Sequence, residues 1–332
     1  MRLGLIGLGR IGSFHAGTLT DLPAVDSLVV TDLVPAKTKQ VAERFGAEPV
    51  DSLDALLAAG VDGVVIAAST DAHPQLVLGA VDAGLPVFCE KPVAGSGAEG
   101  AALLRQLHGR DVPVQIGFQR RFDAGIAAAH AAVRSGELGW LHTVRSTTLD
   151  PAPPPRAYIA SSGGMFRDCG VHDFDVLRWV TGSEVVEVYA RGAVRVDPAF
   201  ADAHDVDTAV ITLVHENGCL TTIDNSRQAV YGYDQRVEVF GSAGMAASEN
   251  PLAHTGVVRT AAGARAAVLP TFFLDRYVPS YVREWEAFVR AVRSGDPTPA
   301  GAADARAPLV IGLAAWRSLR EGRAVRVEEV DP

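Results

Sequence analysis

The sequence predicts an N-terminal α/β unit on a doubly wound parallel sheet, followed by an α+β unit built on a large, mostly antiparallel open sheet. Two observations carry this. Over the first 120 residues short apolar runs alternate with helix-like segments, and from Leu141 onward extended segments joined by turn sequences dominate. The boundary is expected near residue 120, giving units 1–120 and 121–332.

The elements follow in order. Leu3–Gly7 reads as a short buried strand, Gly12–Thr20 as a helix, Leu28–Asp32 as a second strand and Lys37–Phe45 as a second helix. Helix Leu53–Ala59, strand Val64–Ala68, helix Gln75–Ala83, strand Val87–Cys89, helix Gly97–His108 and strand Val114–Gly117 complete the alternation. Strands separated by helices imply a parallel sheet covered on both faces. Beyond Gly117 a helix ends near Gly136. Extended segments then run over Leu141–Leu149, Val185–Val196, Thr208–His215, Cys219–Ser226, Gln235–Gly241 and Met245–Ser248. The turns His215-Glu216-Asn217-Gly218 and Gly241-Ser242-Ala243-Gly244 join neighbours as hairpins. Asp150-Pro151-Ala152-Pro153-Pro154-Pro155 is a stiff loop, and Tyr281–Arg293 and Asp304–Arg320 read as closing helices.

The first strand runs into Gly7-Leu8-Gly9-Arg10-Ile11-Gly12, which opens a helix. The glycines permit a tight turn, close approach of a pyrophosphate to the backbone, and tight strand–helix packing. The helix N-terminus favours the phosphate charge. This strand–turn–helix context makes the pattern a dinucleotide site of Rossmann type. Asp32, twenty residues after Gly12, ends the second strand. Its carboxylate suits both ribose hydroxyls and repels a 2′-phosphate, so NAD is the expected cofactor. Lys37 and Lys39 read as a solvated helix face. Ser69, Thr70 and His73, in the polar loop after Val64–Ala68, are placed at the ribose edge, although His73 equally suits a helix cap.

Lys91, in Glu90-Lys91-Pro92, follows the strand Val87–Cys89 and so stands at the carboxyl edge of the parallel sheet, where open α/β folds hold ligands. It is read as facing substrate, with Glu90 touching the nicotinamide or ribose. In the second unit Asp168 and His172 lie four apart on a helix expected to be capped by Ser161 or Ser162. They would share a face, while Val171, Phe174, Leu177 and Val180 cover the core. A carboxylate beside an imidazole suits proton transfer; a self-satisfied helix pair is the alternative. No spacing points to a metal site. Cys169 reads as a packing residue.

Composition narrows the class. With 332 residues there is room for two cores. The net charge of −9 (30 basic minus 39 acidic) and the lack of a basic run argue against a nucleic-acid partner. No apolar stretch is long enough to span a membrane and no signal peptide is evident. Three scattered cysteines fit a reducing cytoplasm.

The order of the glycine motif, Asp32, Glu90-Lys91-Pro92 and Asp168-x-x-x-His172-Asp173 resembles the Gfo/Idh/MocA oxidoreductases, nearest their inositol dehydrogenase branch. Gly117-Phe118-Gln119-Arg120-Arg121-Phe122-Asp123 and Tyr231-Gly232-Tyr233-Asp234 extend the likeness over essentially the whole chain. It implies that Lys91, Asp168 and His172 form a catalytic set, that Arg121 and Tyr233 join Lys91, Asp168 and His172 in binding substrate, and that the chain assembles as a dimer or tetramer. The implied reaction oxidises a secondary hydroxyl of a cyclic polyol or sugar. The pattern departs at Thr147-Thr148-Leu149-Asp150-Pro151, where the branch tends to carry a histidine, so the polyol itself is not fixed. Two other uses of this scaffold are a dinucleotide-binding sugar sensor and an NAD-assisted glycoside hydrolase.

Overall fold

In the computed structural model, which describes residues 1–330, the chain divides into two compact units. The first comprises Met1–Gln119 and Tyr281–Ala307, the second Arg120–Ser280 and the remainder from Pro308. This differs from the contiguous division expected from the sequence, because residues 281–307 cluster with the first unit. A segment that rejoins an earlier unit does so through contacts far apart in sequence, which local patterns do not carry.

The first unit runs β1 (Arg2–Ile6), α1 (Arg10–Thr20), β2 (Ser27–Thr31), α2 (Pro35–Phe45), β3 (Glu48–Pro49), α3 (Leu53–Ala58), β4 (Gly63–Ile66), α4 (His73–Asp82), β5 (Val87–Glu90), α5 (Gly97–Leu107) and β6 (Val114–Gly117). All six strands are parallel, in the order β3-β2-β1-β4-β5-β6. The direction of winding reverses between β1 and β4, which puts the ligand crevice at their carboxyl ends. The strands are apolar on both faces for a physical reason: Leu3, Leu5, Val64, Val65, Ile66, Val87 and Phe88 are fully buried. Helix starts follow local chemistry. Ser52 Oγ accepts from Ala55 N–H and Ser96 Oγ from Glu99 N–H, while Pro35 opens α2.

The second unit begins with α6 (Ala124–Arg134), capped by Asp123 Oδ1, which accepts from the Gly125 and Ile126 N–H groups. There follow β7 (Leu141–Leu149), α7 (Arg156–Ile159), α8 (Met165–Asp168), α9 (Gly170–Thr181), β8 (Val185–Ala193), α10 (Ala199–Asp202), β9 (Thr208–His215), β10 (Leu220–Ser226), β11 (Asp234–Gly241), β12 (Gly244–Ser248) and the small hairpin β13 (Val258–Thr260) and β14 (Gly263–Arg265). Of α11 (Phe273–Ser294) and α12 (Ala302–Glu321), residues 273–280 and 308–321 belong to this unit and the rest to the first; β15 (Val325–Arg326) closes the second unit. The large sheet is ordered β12-β11-β7-β10-β9-β8-β15 and is antiparallel except where β7 pairs with β10. Alternation along β9, β10 and β11 sends Ile211, Leu213, Ile223, Val237 and Val239 into a core with Phe174, Val176, Leu177 and Ile311. Among the described residues no helix is long and apolar enough to cross a membrane.

The helix predicted to carry Asp168 and His172 on one face is not continuous. Asp168 ends α8, Cys169 (φ −95°, ψ −59°) forms a kink, and α9 starts at Gly170. Neither Ser161 nor Ser162 caps it. The cap position is Gly164, and the N–H of Met165 is satisfied by Asp205 Oδ1 at 2.9 Å, forty residues away. Ser162 Oγ instead accepts from Gly164 N–H. Val171, Phe174, Leu177 and Val180 are buried as expected. Helix α11 begins at Phe273, eight residues before the expected start, and carries Pro279 inside it.

Two buried ion pairs hold α9. The fully buried Asp173 accepts from Arg120 Nη1 (2.9 Å), Ser146 Oγ (2.7 Å), Thr148 Oγ1 (2.7 Å) and Asn225 Nδ2 (3.1 Å), so β7, β10 and the Arg120 turn are tied to one carboxylate. Asp175 receives Arg121 through Nε (2.9 Å) and Nη2. Removing one partner of a buried pair leaves an uncompensated charge, at about 3–5 kcal/mol. Arg120→Met should therefore cost roughly 3–5 kcal/mol in urea unfolding; a loss below about 1 kcal/mol, the scale of an exposed pair, would show that Arg120 does not compensate Asp173.

Candidate active site

The glycine loop is built as its spacing requires. Gly7 has φ +87°, and a Cβ there would lie 2.5 Å from the Ala68 backbone. A Cβ on Gly12 would lie 1.9 Å from the Gly7 carbonyl, so helix and strand can approach this closely only without side chains. Gly9, which precedes the helix, faces open space, and α1 has no side-chain cap on its first N–H groups. That combination leaves a cradle for a pyrophosphate. Arg10 is exposed and Ile11 half-buried beside it.

Asp32 Oδ2 accepts from Leu8 N–H at 2.7 Å and Oδ1 from Val34 N–H at 2.8 Å, which holds the carboxylate at the mouth of the loop. Next to it lies a cavity of about 370 Å³ lined by Gly9, Arg10 and Ser13 from the loop and α1, and by Lys37, Gln40 and Arg44 from α2. Lys37 thus belongs to the wall of the site rather than to a solvated face alone; Lys39 is exposed on the other side and pairs with Glu43.

Ser69 is exposed and Thr70 half-buried in a short 3-10 turn after β4. His73, expected at the ribose or as a cap, is enclosed instead: Nδ1 lies 2.8 Å from the Pro92 carbonyl and Nε2 3.0 Å from the Ala68 carbonyl. Burial holds its pKa below the ordinary value against the pull of those carbonyls. Glu90 is likewise turned inward. Oε1 meets His15 Nε2 at 2.7 Å and Oε2 accepts from the Lys91 N–H at 3.2 Å. Lys91 is half-buried at the end of β5, and the Lys91–Pro92 peptide is cis. His15 was not anticipated; its position one helical turn past Gly12 was the available signal.

In the second unit Asp168 is half-buried and accepts from the Tyr158 hydroxyl at Oδ1 (2.9 Å) and from Arg227 Nη2 at Oδ2 (2.8 Å). His172 is half-buried in the first turn of α9. Arg121, expected to bind substrate, is only 5 % exposed, and its guanidinium is engaged by Asp175 and lies over the Trp179 ring. Tyr233 is buried against Tyr277, and burial pushes its hydroxyl pKa up, followed by the neighbouring Tyr277. Burial pushes the Cys169 thiol pKa up too, in keeping with a packing residue. In the departing stretch Thr148 turns inward to Asp173, and Asp150 turns to Arg227.

Residues 1–118 match the oxidoreductase family with an NAD-binding Rossmann fold, and residues 126–247 match the Gfo/Idh/MocA C-terminal domain. The chain belongs to the Gfo/Idh/MocA family. This Gfo/Idh/MocA protein is 41 % identical to the myo-inositol 2-dehydrogenase of Thermotoga maritima over 99 % of each chain. It is 38 % identical to the inositol 2-dehydrogenase of Rhizobium meliloti over 98 % of this chain and 99 % of that one. The solved scyllo-inositol dehydrogenase of Lactobacillus casei, with bound NAD(H) and scyllo-inositol, superposes with a TM-score of 0.91 at 27 % identity, covering 99 % of each chain. The Gfo/Idh/MocA chain is an NAD-binding oxidoreductase, and the glycine cradle and Asp32 fit that cofactor.

Arg10, Lys37 and Arg44 line the cavity beside Asp32, whose carboxylate would oppose a 2′-phosphate placed there. Asp32→Ser should tighten NADP binding relative to NAD by about tenfold or more, the scale of one charge contact near a surface. Fluorescence titration with both nucleotides checks this, and an unchanged ratio would contradict it.

Proposed function

We propose that the chain oxidises a secondary ring hydroxyl of a cyclic polyol or sugar to the ketone with NAD, with Lys91, Asp168 and His172 as its proton-transfer set. The observation that carries this reading is Lys91 at the carboxyl end of β5, its backbone bonded to the Glu90 carboxylate that His15 of α1 also grips. A flexible surface lysine needs no such hold; a lysine that must meet a reacting oxygen does. The substrate class is supported by relatives named for myo- and scyllo-inositol along the full chain.

Bound NAD supplies the acceptor for the two electrons that leave the carbon. His172 takes the hydroxyl proton on a ring nitrogen, and Asp168 offsets the resulting cation. The Lys91 ammonium donates to the reacting oxygen and stabilises the negative charge that develops on it. Glu90 and His73 hold the turn on either side of Lys91 instead of reacting. Ser69, Thr70 and the glycine loop are the remaining cofactor contacts. Tyr233 lines the substrate side, and Arg121 supports α9 from within.

Lys91→Ala and His172→Ala should each lower kcat by about 10²-fold or more, the scale of losing a proton-transfer group, with the dissociation constant for NAD unchanged. Wild-type-like turnover of His172→Ala would remove it from the mechanism. Asp168→Asn should damage turnover as well.

The outward face of the large sheet presents Val210, Leu220, Phe240 and Met245, with Phe240 opposite Met245 across β11 and β12. Leu220, Phe240 and Met245 share one row across β10, β7, β11 and β12 that Thr143 interrupts, and Val210 lies opposite Asp224; exposed apolar side chains on this face fit a self-complementary interface, so the protein is read as a dimer or tetramer. Light scattering at micromolar concentration checks this; a monomer would refute it. The three separate, buried thiols fit a reducing compartment such as the cytoplasm.

A further inference from the structure

One set of charges beside Asp168 has no part in the chemistry above. Strands β7 and β10 are parallel, with Leu149 opposite Ser226, so their carboxyl ends lie side by side. The next residues of each strand, Asp150 and Arg227, become neighbours. Asp150 N–H donates to the Ser226 carbonyl at 2.9 Å, and Arg227 N–H to the Asp207 carbonyl at 2.8 Å. The Arg227 side chain is 6 % exposed. It donates Nη1 to Asp150 Oδ2 at 3.0 Å and Nη2 to Asp168 Oδ2 at 2.8 Å. Two carboxylates therefore share one buried cation.

Tyr158 donates to the other oxygen of Asp168, and Asp205 caps α8 beside it. Arg120, Tyr233, the Cys169 thiol and, beyond it, Asp173 also face this trio. Burial raises the Asp150 carboxyl above its ordinary pKa; Arg227 opposes this and Asp168 adds to it. Burial likewise raises Asp205.

We propose that Arg227 is a positioning residue that holds the Asp168 carboxylate in place, and that Asp150, by sharing that cation, tunes how strongly Asp168 supports a proton on His172. The role rests on the reading of Asp168 and His172 as the proton-transfer pair. Asp168 closes α8 and His172 lies in the first turn of α9, four residues on, across the Cys169 kink. The signs follow from Coulomb's law. Without Arg227 the site gains net negative charge, and a proton binds His172 more readily. Without the Asp150 charge the cation serves Asp168 alone, the site loses negative charge, and the proton binds less readily.

The test is histidine NMR of the full-length protein, with the His172 ring signals assigned by their loss in His172→Ala. In Arg227→Gln the titration midpoint of His172 should rise by about half a unit or more, and in Asp150→Asn it should fall, as expected for nearby charges. Asp150→Asn/Arg227→Gln should return close to wild type, and Arg227→Lys, which keeps the charge, should stay there. A purely structural Arg227 predicts no opposed shifts and no compensation in the double variant, and that outcome overturns the proposal. Should Arg227→Gln fail to fold, Asp150→Asn alone decides: a midpoint that stays or rises is contrary. If the midpoints move as stated while His172→Ala still turns over, the coupling stands and the catalytic reading falls.

Discussion

The contact on which the first unit's site depends is the hydrogen bond between His15 Nε2 and Glu90 Oε1, 2.7 Å long and shut away from water. It joins the helix opened by the glycine loop to the residue that precedes Lys91. Phe14, Phe88, Tyr281 and Trp285 surround the imidazole, with ring centroids 4.9–5.8 Å from it, so little room is left for another arrangement. In such surroundings an unmet polar group is expensive and a met one is directional. Nε2 is the ring nitrogen turned toward Glu90. On the far side His73 reaches the Pro92 carbonyl. The segment that offers Lys91 is thus pinned before and after the lysine.

The second unit solves a similar problem with charge. Helix α9 carries His172 at its start and two buried aspartates, Asp173 and Asp175, within its first two turns. Arg120 and Arg121, adjacent in sequence, take one each. The direction in which His172 leaves the helix is therefore set by ion pairs beneath it. Buried ion pairs are poor sources of net stability but costly to misplace, so they suit a helix whose rotation matters.

Much of this was legible because it is local. The glycine spacing, the carboxylate ending β2, the lysine after β5 and the hairpin turns of the second sheet each depend on a few consecutive residues. What escaped depends on distant partners. The kink at Cys169 breaks a helix whose apolar spacing is unbroken, and its cap comes from Asp205 rather than from the serines just before it. Arg121 is held by Asp175, fifty-four residues on, a partner that nothing nearby in the sequence announces. His73 had polar neighbours in sequence and carbonyl neighbours in space. The parallel pairing of β7 with β10, which makes Asp150 and Arg227 adjacent, is invisible to alternation alone, since both orientations bury the same side chains.

Release of reduced cofactor is what would separate a dehydrogenase from a sensor or a hydrolase on the same scaffold. The most direct measurement is the nicotinamide absorbance of the wild-type protein with excess NAD across a panel of cyclitols and sugars that includes myo- and scyllo-inositol. The account predicts that at least one member drives NADH to accumulate far beyond one equivalent per protein, with the matching ketone recovered. Binding without NADH across the panel, or a burst that stops at one equivalent, would contradict it.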